Sequence, residues 1–372
     1  MRLLAVDVGA GTQDILLLNT SSTVENSIKM VMPSATQMVA AKIAEASAKS
    51  QTILFTGINM GGGPSTHALK KHLRQGLKAY STPEAACTFD DDPDEVRKMG
   101  VELVSADEAK KMGNVAVIEL KDIDMAAIGK ALEAFGVSPR VDGIAVAAQD
   151  HGAAPKGFSD RVFRFQHLKK KIEARNELIT FACLRGEIPD YLTRLKAIES
   201  SLDNDVPVLV MDTGPAAALG SLMDERVAVQ DHLVIANMGN FHTLAFHVFK
   251  KEVLGLFEHH TEMLTFSRAD DFIARLAAGE LKEGEIYGDG GHGNFTLRRR
   301  SNHPFLAVCG PRRNMMKGSS LGPYLVSPYG DMMLTGCFGL VGAFARRMED
   351  RREEIERCLS GEDPETEKYH TH

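Results

Sequence analysis

The sequence predicts an α/β protein of two lobes around a central cleft, and two observations carry that expectation. At the N-terminus, residues 2–18, an apolar run (3–6) delivers Asp7 into a turn holding Gly9 and Gly11, and a second apolar run (15–18) leaves it. The same theme returns over residues 231–249, where LVIANMGNFHTLAFHVF reads as strand, turn with Gly239 and Asn240, and strand. A third strand and a helix follow each time. In the first half these are residues 23–32 and a Ser-capped, alanine-rich helix; in the second, residues 253–264 and a helix to about Ala278 capped by Ser267. A strand, strand, strand, helix unit used twice argues for duplicated halves, expected at 1–203 and 204–372.

Composition supports two such domains. With 372 residues, 44% hydrophobic and 25% charged, each half can bury a core of ordinary size. The formal charge of -7 leaves no basic excess, so nucleic acid and anionic membrane are poor partners and a small-molecule substrate is expected; self-association stays open. Five cysteines, widely spaced and without a CxxC, signal neither a disulfide framework nor an iron–sulfur cluster. No signal-peptide pattern or run of membrane-spanning length is present, and the expected compartment is the cytoplasm.

Along the chain, the first hairpin has two readings. Glycine is needed where backbone N–H groups approach an anion, and a carboxylate at a strand end can hold hydrated Mg²⁺; Gly-x-Gly between apolar runs is also an ordinary hairpin turn. Residues 52–55 form a buried strand, taken as the fourth of the first half, that ends in Gly61, Gly62 and Gly63 before a helix over 65–75. That triple glycine is either an anion loop or a tight turn. Residues 80–135 are acidic and weakly patterned: the run Asp90, Asp91, Asp92, Asp94 and Glu95 reads as a solvated insert, and short helix and strand signals follow around residues 101–103 and 115–120. Strand 144–148 then delivers Gln149, Asp150, His151 and Gly152 to its carboxyl end, the usual place for a ligand in an open α/β sheet. Two helical pieces over 163–202, broken near Gly186 and Pro189, read as a hinge. Strand 206–211 leads through Asp212 into a small-residue helix. The loop 288–294, GDGGHGN, holds Asp289 and His292, which with Asp150, His151 and His242 offer nitrogen and oxygen ligands from distant segments. Strand 305–308 precedes Gly310, Arg312 and Arg313, with the arginines at a helix start. The closing helix carries Gly336, Gly339 and Gly342 three residues apart, a spacing that allows close helix packing, and the tail from Ser360 is polar.

Asp7, Gly9, Ala10, Gly11 and Thr12 resemble the first phosphate loop of the superfamily of actin, sugar kinases and heat-shock chaperone ATPases, and Asn237, Gly239 and Thr243 partly match its second. The resemblance implies two ribonuclease-H-like (actin-like ATPase) lobes closing on ATP and Mg²⁺. It places Asp7 at the reacting phosphate and on the metal, and Gly9, Gly11, Thr12, Asn237, Gly239, Asn240, Gly310 and Arg312 on the nucleotide. Asp14 stands where those families carry Lys or Arg, which makes the implied site more metal-dependent, with Asp14 as a second metal ligand. Gln149, His151 and Gly152 resemble the Gln-x-His-Gly beside the sugar in xylulokinase-like carbohydrate kinases, so Gln149 and His151, with Gly62 and Gly63, are expected on the substrate. Asp212 or Asp150 is the implied base. The activity implied is Mg²⁺-dependent phosphoryl transfer from ATP to a small molecule, or ATP hydrolysis. The alternatives are a metal-dependent hydrolase or lyase using Asp150, His151, His242 and His292 without ATP, and a non-catalytic ligand-binding protein. DVGAGTQD, TGINMGGGP, QDHG and CGPRRN together also resemble a prokaryotic family loosely labelled as related to pyruvate formate-lyase activating enzyme, although the CxxxCxxC that such activases require is absent.

Overall fold

A computed structural model describes residues 1–300 and 303–361, so the polar tail expected after Ser360 falls almost wholly outside the described residues. The chain opens with an antiparallel meander, β1 (Arg2–Val8), β2 (Thr12–Asn19) and β3 (Ile28–Pro33). It then builds β4 (Ile53–Gly57), β5 (Ala79–Ser81), β6 (Val101–Leu103) and β7 (Ala116–Leu120) before β8 (Gly143–Ala148), β9 (Cys183–Leu184) and β10 (Val208–Met211). A second meander follows, β11 (His232–Met238), β12 (His242–Phe249) and β13 (Glu252–His260), and then β14 (Gly293–Thr296), β15 (Phe305–Cys309) and β16 (Tyr324–Leu325).

Two sheets share one plan. The first runs β3-β2-β1-β8-β10-β9 and the second β14-β13-β12-β11-β15-β16, with β8 parallel to β1 and β15 parallel to β11. An antiparallel meander whose first strand pairs in parallel with the strand after a crossover is the ribonuclease-H-like arrangement, so the protein is an α/β molecule of two actin-like lobes. The duplication extends to hydrogen bonds. Gly9 N–H donates to Thr12 C=O at 2.9 Å, and Gly239 N–H donates to His242 C=O at 2.9 Å. In this alignment Asp7 corresponds to Asn237 and Thr12 to His242.

The structure corrects the expected order of the first half. Residues 53–57 do not join the first sheet: β4 lies in a separate parallel sheet, β6-β5-β4-β7, and the fourth strand of the half is β8. The weakly patterned stretch that follows β4 belongs to an ordered subdomain, and its expected strand signals at 101–103 and 115–120 are β6 and β7. The core of this subdomain joins Ile53, Phe55 and Ile118 to Val39 and Ile43 of the helix Ala35–Ala48, which the sequence had assigned to the first sheet. The acidic run does remain exposed, and Asp92 caps the helix Pro93–Met99 by accepting from Asp94 N–H. Strand β10 completes the first sheet although it lies beyond the expected boundary at 203. In the second half Thr265, not Ser267, caps the helix Phe266–Ala278, and Arg313 opens only a short 3-10 turn, Arg313–Met316.

Alternation along each strand divides the packing. Leu3 and Ala5 face a core shared by both lobes, whereas Leu4, Val6 and Val8 face one confined to the first. The shared core includes the helices Thr213–Ser221 and Thr335–Arg347, which pass unusually close together. A Cβ at Gly220 would stand 1.7 Å from Thr335 O, and one at Gly339 would stand 1.9 Å from Ala216 O. The glycine spacing of the closing helix thus sets the distance between two helices that lie behind the cleft. Among the described residues no helix is long and apolar enough to cross a membrane.

Candidate functional site

A cleft of about 1180 Å³ opens between the lobes, lined by the carboxyl ends of β1, β8 and β11, the two hairpin turns, and the subdomain around Asn59 to Pro64. Because β1 and β8 run parallel in register, Val8 beside Ala148, the residues after β8 emerge next to the first hairpin.

Asp7 and Asp14 are direct cross-strand partners on β1 and β2 and both line the cleft. Burial is the main cause that pushes each carboxyl up to about 7; at Asp14 the neighbouring charge of Asp7 adds to it. The Thr213 hydroxyl donates to Asp7, while Oδ1 of Asp14 is buried with no partner. Two adjacent carboxylates, one oxygen unmatched, are a set that a proton or a hard cation satisfies, and they fit hydrated Mg²⁺. Gly336, in the first turn of the helix Thr335–Arg347, permits this: a Cβ there would stand 1.9 Å from Asp7 Oδ2.

The two hairpins face each other. Gly9 and Thr12 line one side, and Asn237, Gly239 and Asn240 the other. Gly11 lies against the Asn240 amide, where a Cβ would come within 2.5 Å of Nδ2. Gly310 has φ +89° and packs on Asn237 and Met238, so a side chain there is excluded by both backbone strain and space. Gly62 and Gly63 line the opposite wall, with Gly63 at the N-cap of the helix Pro64–Arg74. Arg312 is exposed and is not among the lining residues; its N–H bonds Met238 C=O at 2.9 Å.

Both residues expected as the base are committed to structure. Asp150 lines the cleft, but its oxygens accept from Gly152 N–H at 2.8 Å and from Leu195 N–H at 2.9 Å, the latter in the first turn of the helix Thr193–Ser201. Burial raises it to about 6 despite these bonds. Asp212 accepts from Arg164 Nη1 at 2.7 Å and Nη2 at 3.3 Å and caps the following helix through Gly214 N–H at 3.2 Å. The side chain that this turn presents to the cleft is Thr213, one residue on. Arg164, which sequence reasoning missed, also gives Nε to Glu258 at 2.9 Å and Nη1 to Asp150 C=O at 2.9 Å. It is 1% exposed and shares its helix face with Phe165, Leu168 and Ile172, so a charged residue inside an apolar stripe was the available signal.

Three histidines from separate segments meet beside this network. His151 follows β8, His242 opens β12 and His292 precedes β14, and their ligand atoms all lie within 4.8 Å of one another. Gln149 contacts the His151 ring at 3.1 Å, and Glu258 Oε2 lies 3.3 Å from His292 Nδ1 without hydrogen-bond alignment. His151 opens onto the cleft yet is enclosed by protein, and desolvation holds it down to about 3; His242 and His292 are depressed for the same first reason. Burial thus favours the neutral imidazole in each. A fourth, His260, packs on His292 with ring centroids 4.7 Å apart.

Among solved structures, the chain is similar to the Lmo2764 protein of Listeria monocytogenes, described as "a putative N-acetylmannosamine kinase", at 10% identity and a TM-score of 0.34 over 93% of this chain and 99% of that one. It is also similar to a Bacteroides thetaiotaomicron protein described as having an actin-like ATPase fold and unknown function, at 7% identity and a TM-score of 0.35 over 91% and 95%. These superpositions are distant, and the duplicated strand order carries the fold without them. No curated protein matches the sequence. A family model does match residues 60–315, more than half of the chain, and the protein accordingly belongs to the family described as "Putative pyruvate format-lyase activating enzyme (DUF1786)".

Proposed function

We propose that the protein is an enzyme that binds ATP with Mg²⁺ in the interlobe cleft and transfers the terminal phosphate to a small molecule or to water. The observation that carries this reading is the Asp7 and Asp14 pair at the root of a glycine hairpin that faces its own structural duplicate. Phosphoryl transfer needs positioning and charge neutralisation more than covalent chemistry. The hairpin N–H groups supply positions for phosphate oxygens. The cationic side chains that line the cleft are all paired with acids: Arg164 with Asp212 and Glu258, Arg194 with Asp122 at 2.7 Å, and Lys156, at the rim, with Asp92 at 3.3 Å. Bound Mg²⁺ would provide the neutralising charge, held by Asp7 and Asp14. Thr213 orients Asp7, and Asn237 and Asn240 offer amides to the phosphate tail from the other lobe. Asp150 and Asp212 are both engaged in hydrogen bonds, so the proton of the accepting hydroxyl or water is assigned to the transferred phosphate itself.

The activase chemistry that the family's description names finds no cysteine triplet here. Cys183, Cys309, Cys337 and Cys358 are buried in different elements, and Cys87 is half-buried in the subdomain.

Calorimetric titration of metal-stripped protein with ATP tests the proposal. Saturable binding is expected with Mg²⁺ and not without it, and Asp7→Asn should lose it while keeping its melting transition. Folded wild-type protein that binds no ATP, or an Asp7→Asn variant that binds as well as wild type, overturns the reading.

A further inference from the structure

We propose that His151, His242 and His292 form a binding site for one transition-metal ion of the zinc class, distinct from the Mg²⁺ position at Asp7 and Asp14. The first argument is convergence. The three imidazoles come from the end of β8 in one lobe and from β12 and the loop before β14 in the other, and their ligand atoms fall within 4.8 Å of one another. Around a tetrahedral ion with bonds of about 2.1 Å, nitrogens stand roughly 3.4 Å apart, so a side-chain adjustment of about 1 Å completes the set.

The second argument is unmet hydrogen bonding. Nε2 of His242 and both ring nitrogens of His292 are buried without a partner, and His292 is 1% exposed. Buried polar atoms in folded proteins nearly always have partners, and the orphaned Nε2 atoms of His242 and His292, side by side, call for an occupant.

The surroundings match what ligating histidines need. Glu258 flanks Nδ1 of His292 at 3.3 Å, leaving Nε2 for the ion, and Gln149 holds the His151 ring at 3.1 Å. Arg164 lies nearby, but Asp212 and Glu258 both pair with it, so that buried group has no net positive charge to repel a cation. Three neutral nitrogen donors select zinc, cobalt, nickel or copper over Mg²⁺. His151 and His242 line the cleft while His292 lies behind them, so the remaining position opens toward a water or a substrate oxygen. Ligands drawn from both lobes also mean that the ion fastens the cleft.

Co²⁺ is the probe, added to the metal-stripped full-length protein. One equivalent should give the intense visible bands of a four-coordinate ion, displaced by one equivalent of Zn²⁺, and should raise the melting temperature. His242→Ala and His151→Gln should weaken binding at least tenfold. The separate pair His232 and His247, with Nε2 atoms 2.7 Å apart, is another possible source of signal; His232→Ala should leave the bands intact. Asp7→Asn should leave them intact as well, which separates this site from the nucleotide reading. Folded wild-type protein without the bands overturns the proposal even if the variants misfold, and so do bands lost in His232→Ala but kept in His242→Ala.

Discussion

Asp7 and Asp14 place like charges directly opposite each other in an antiparallel pair, an arrangement that destabilises a sheet. Both carboxyls rise from 3.8 to about 7, so between those values the folded state holds protons that the unfolded chain has released. Stability therefore falls as pH rises from about 4 through about 7 and stays low above that. Asp14→Asn should be more stable than wild type at pH 8 by roughly 1–3 kcal/mol, with the difference fading toward pH 4, in urea titrations at the two pH values. Mg²⁺ should stabilise the wild type at pH 8 and do far less for the variant. Equal stabilities at pH 8 would remove the buried like-charge strain from the account. The position of Asp7 in the cleft was legible as an acid at a strand end beside a glycine turn, although the same pattern also reads as an ordinary hairpin turn. The direction of Asp212 was not, because moving one residue around a strand-to-helix turn sends the side chain to the other side, and Thr213 takes the cleft. Arg164 was hidden for a different reason: its two acidic partners lie 48 and 94 residues away.

Among elements, the contact between the helices Thr213–Ser221 and Thr335–Arg347 governs how the first turn of each reaches Asp7. Gly339→Ala inserts a methyl group 1.9 Å from a backbone oxygen, which no rotamer relieves. The helices must separate, at a cost of about 1–3 kcal/mol, measured as a lower denaturation midpoint. The same shift should weaken Mg²⁺-ATP binding; a variant as stable as wild type would show that the helices are not locked by this contact. The glycine spacing announced close packing from sequence alone, since three small residues on one helix face need a partner backbone. The sheet membership of β4 was not announced. A short apolar run shows that a strand exists but not which neighbours it pairs with, and the helix Ala35–Ala48 packs equally well in a sequence-level account that puts it on either sheet.

For the whole molecule, duplication turns one hairpin into a facing pair, and both lobes then contribute to the cleft and to the histidine cluster. Asp7 and Asp14 face Asn237 and Asn240 across the cleft, and His151 faces His242 and His292. Gly11 already touches the Asn240 amide, so the two turns stand close at this point and a phosphate chain in the cleft beside them meets both. That geometry predicts a paired response in hydrogen exchange. Mg²⁺-ATP should slow the amides of residues 9–12 and 239–242 together, because a ligand held by both turns restrains both. Asp7→Asn should abolish both protections at once although it alters one lobe only. Protection confined to a single hairpin, or to the subdomain around Gly62 and Gly63, would place the ligand on one lobe and leave the pseudo-symmetric pair as an inherited shape without a shared ligand.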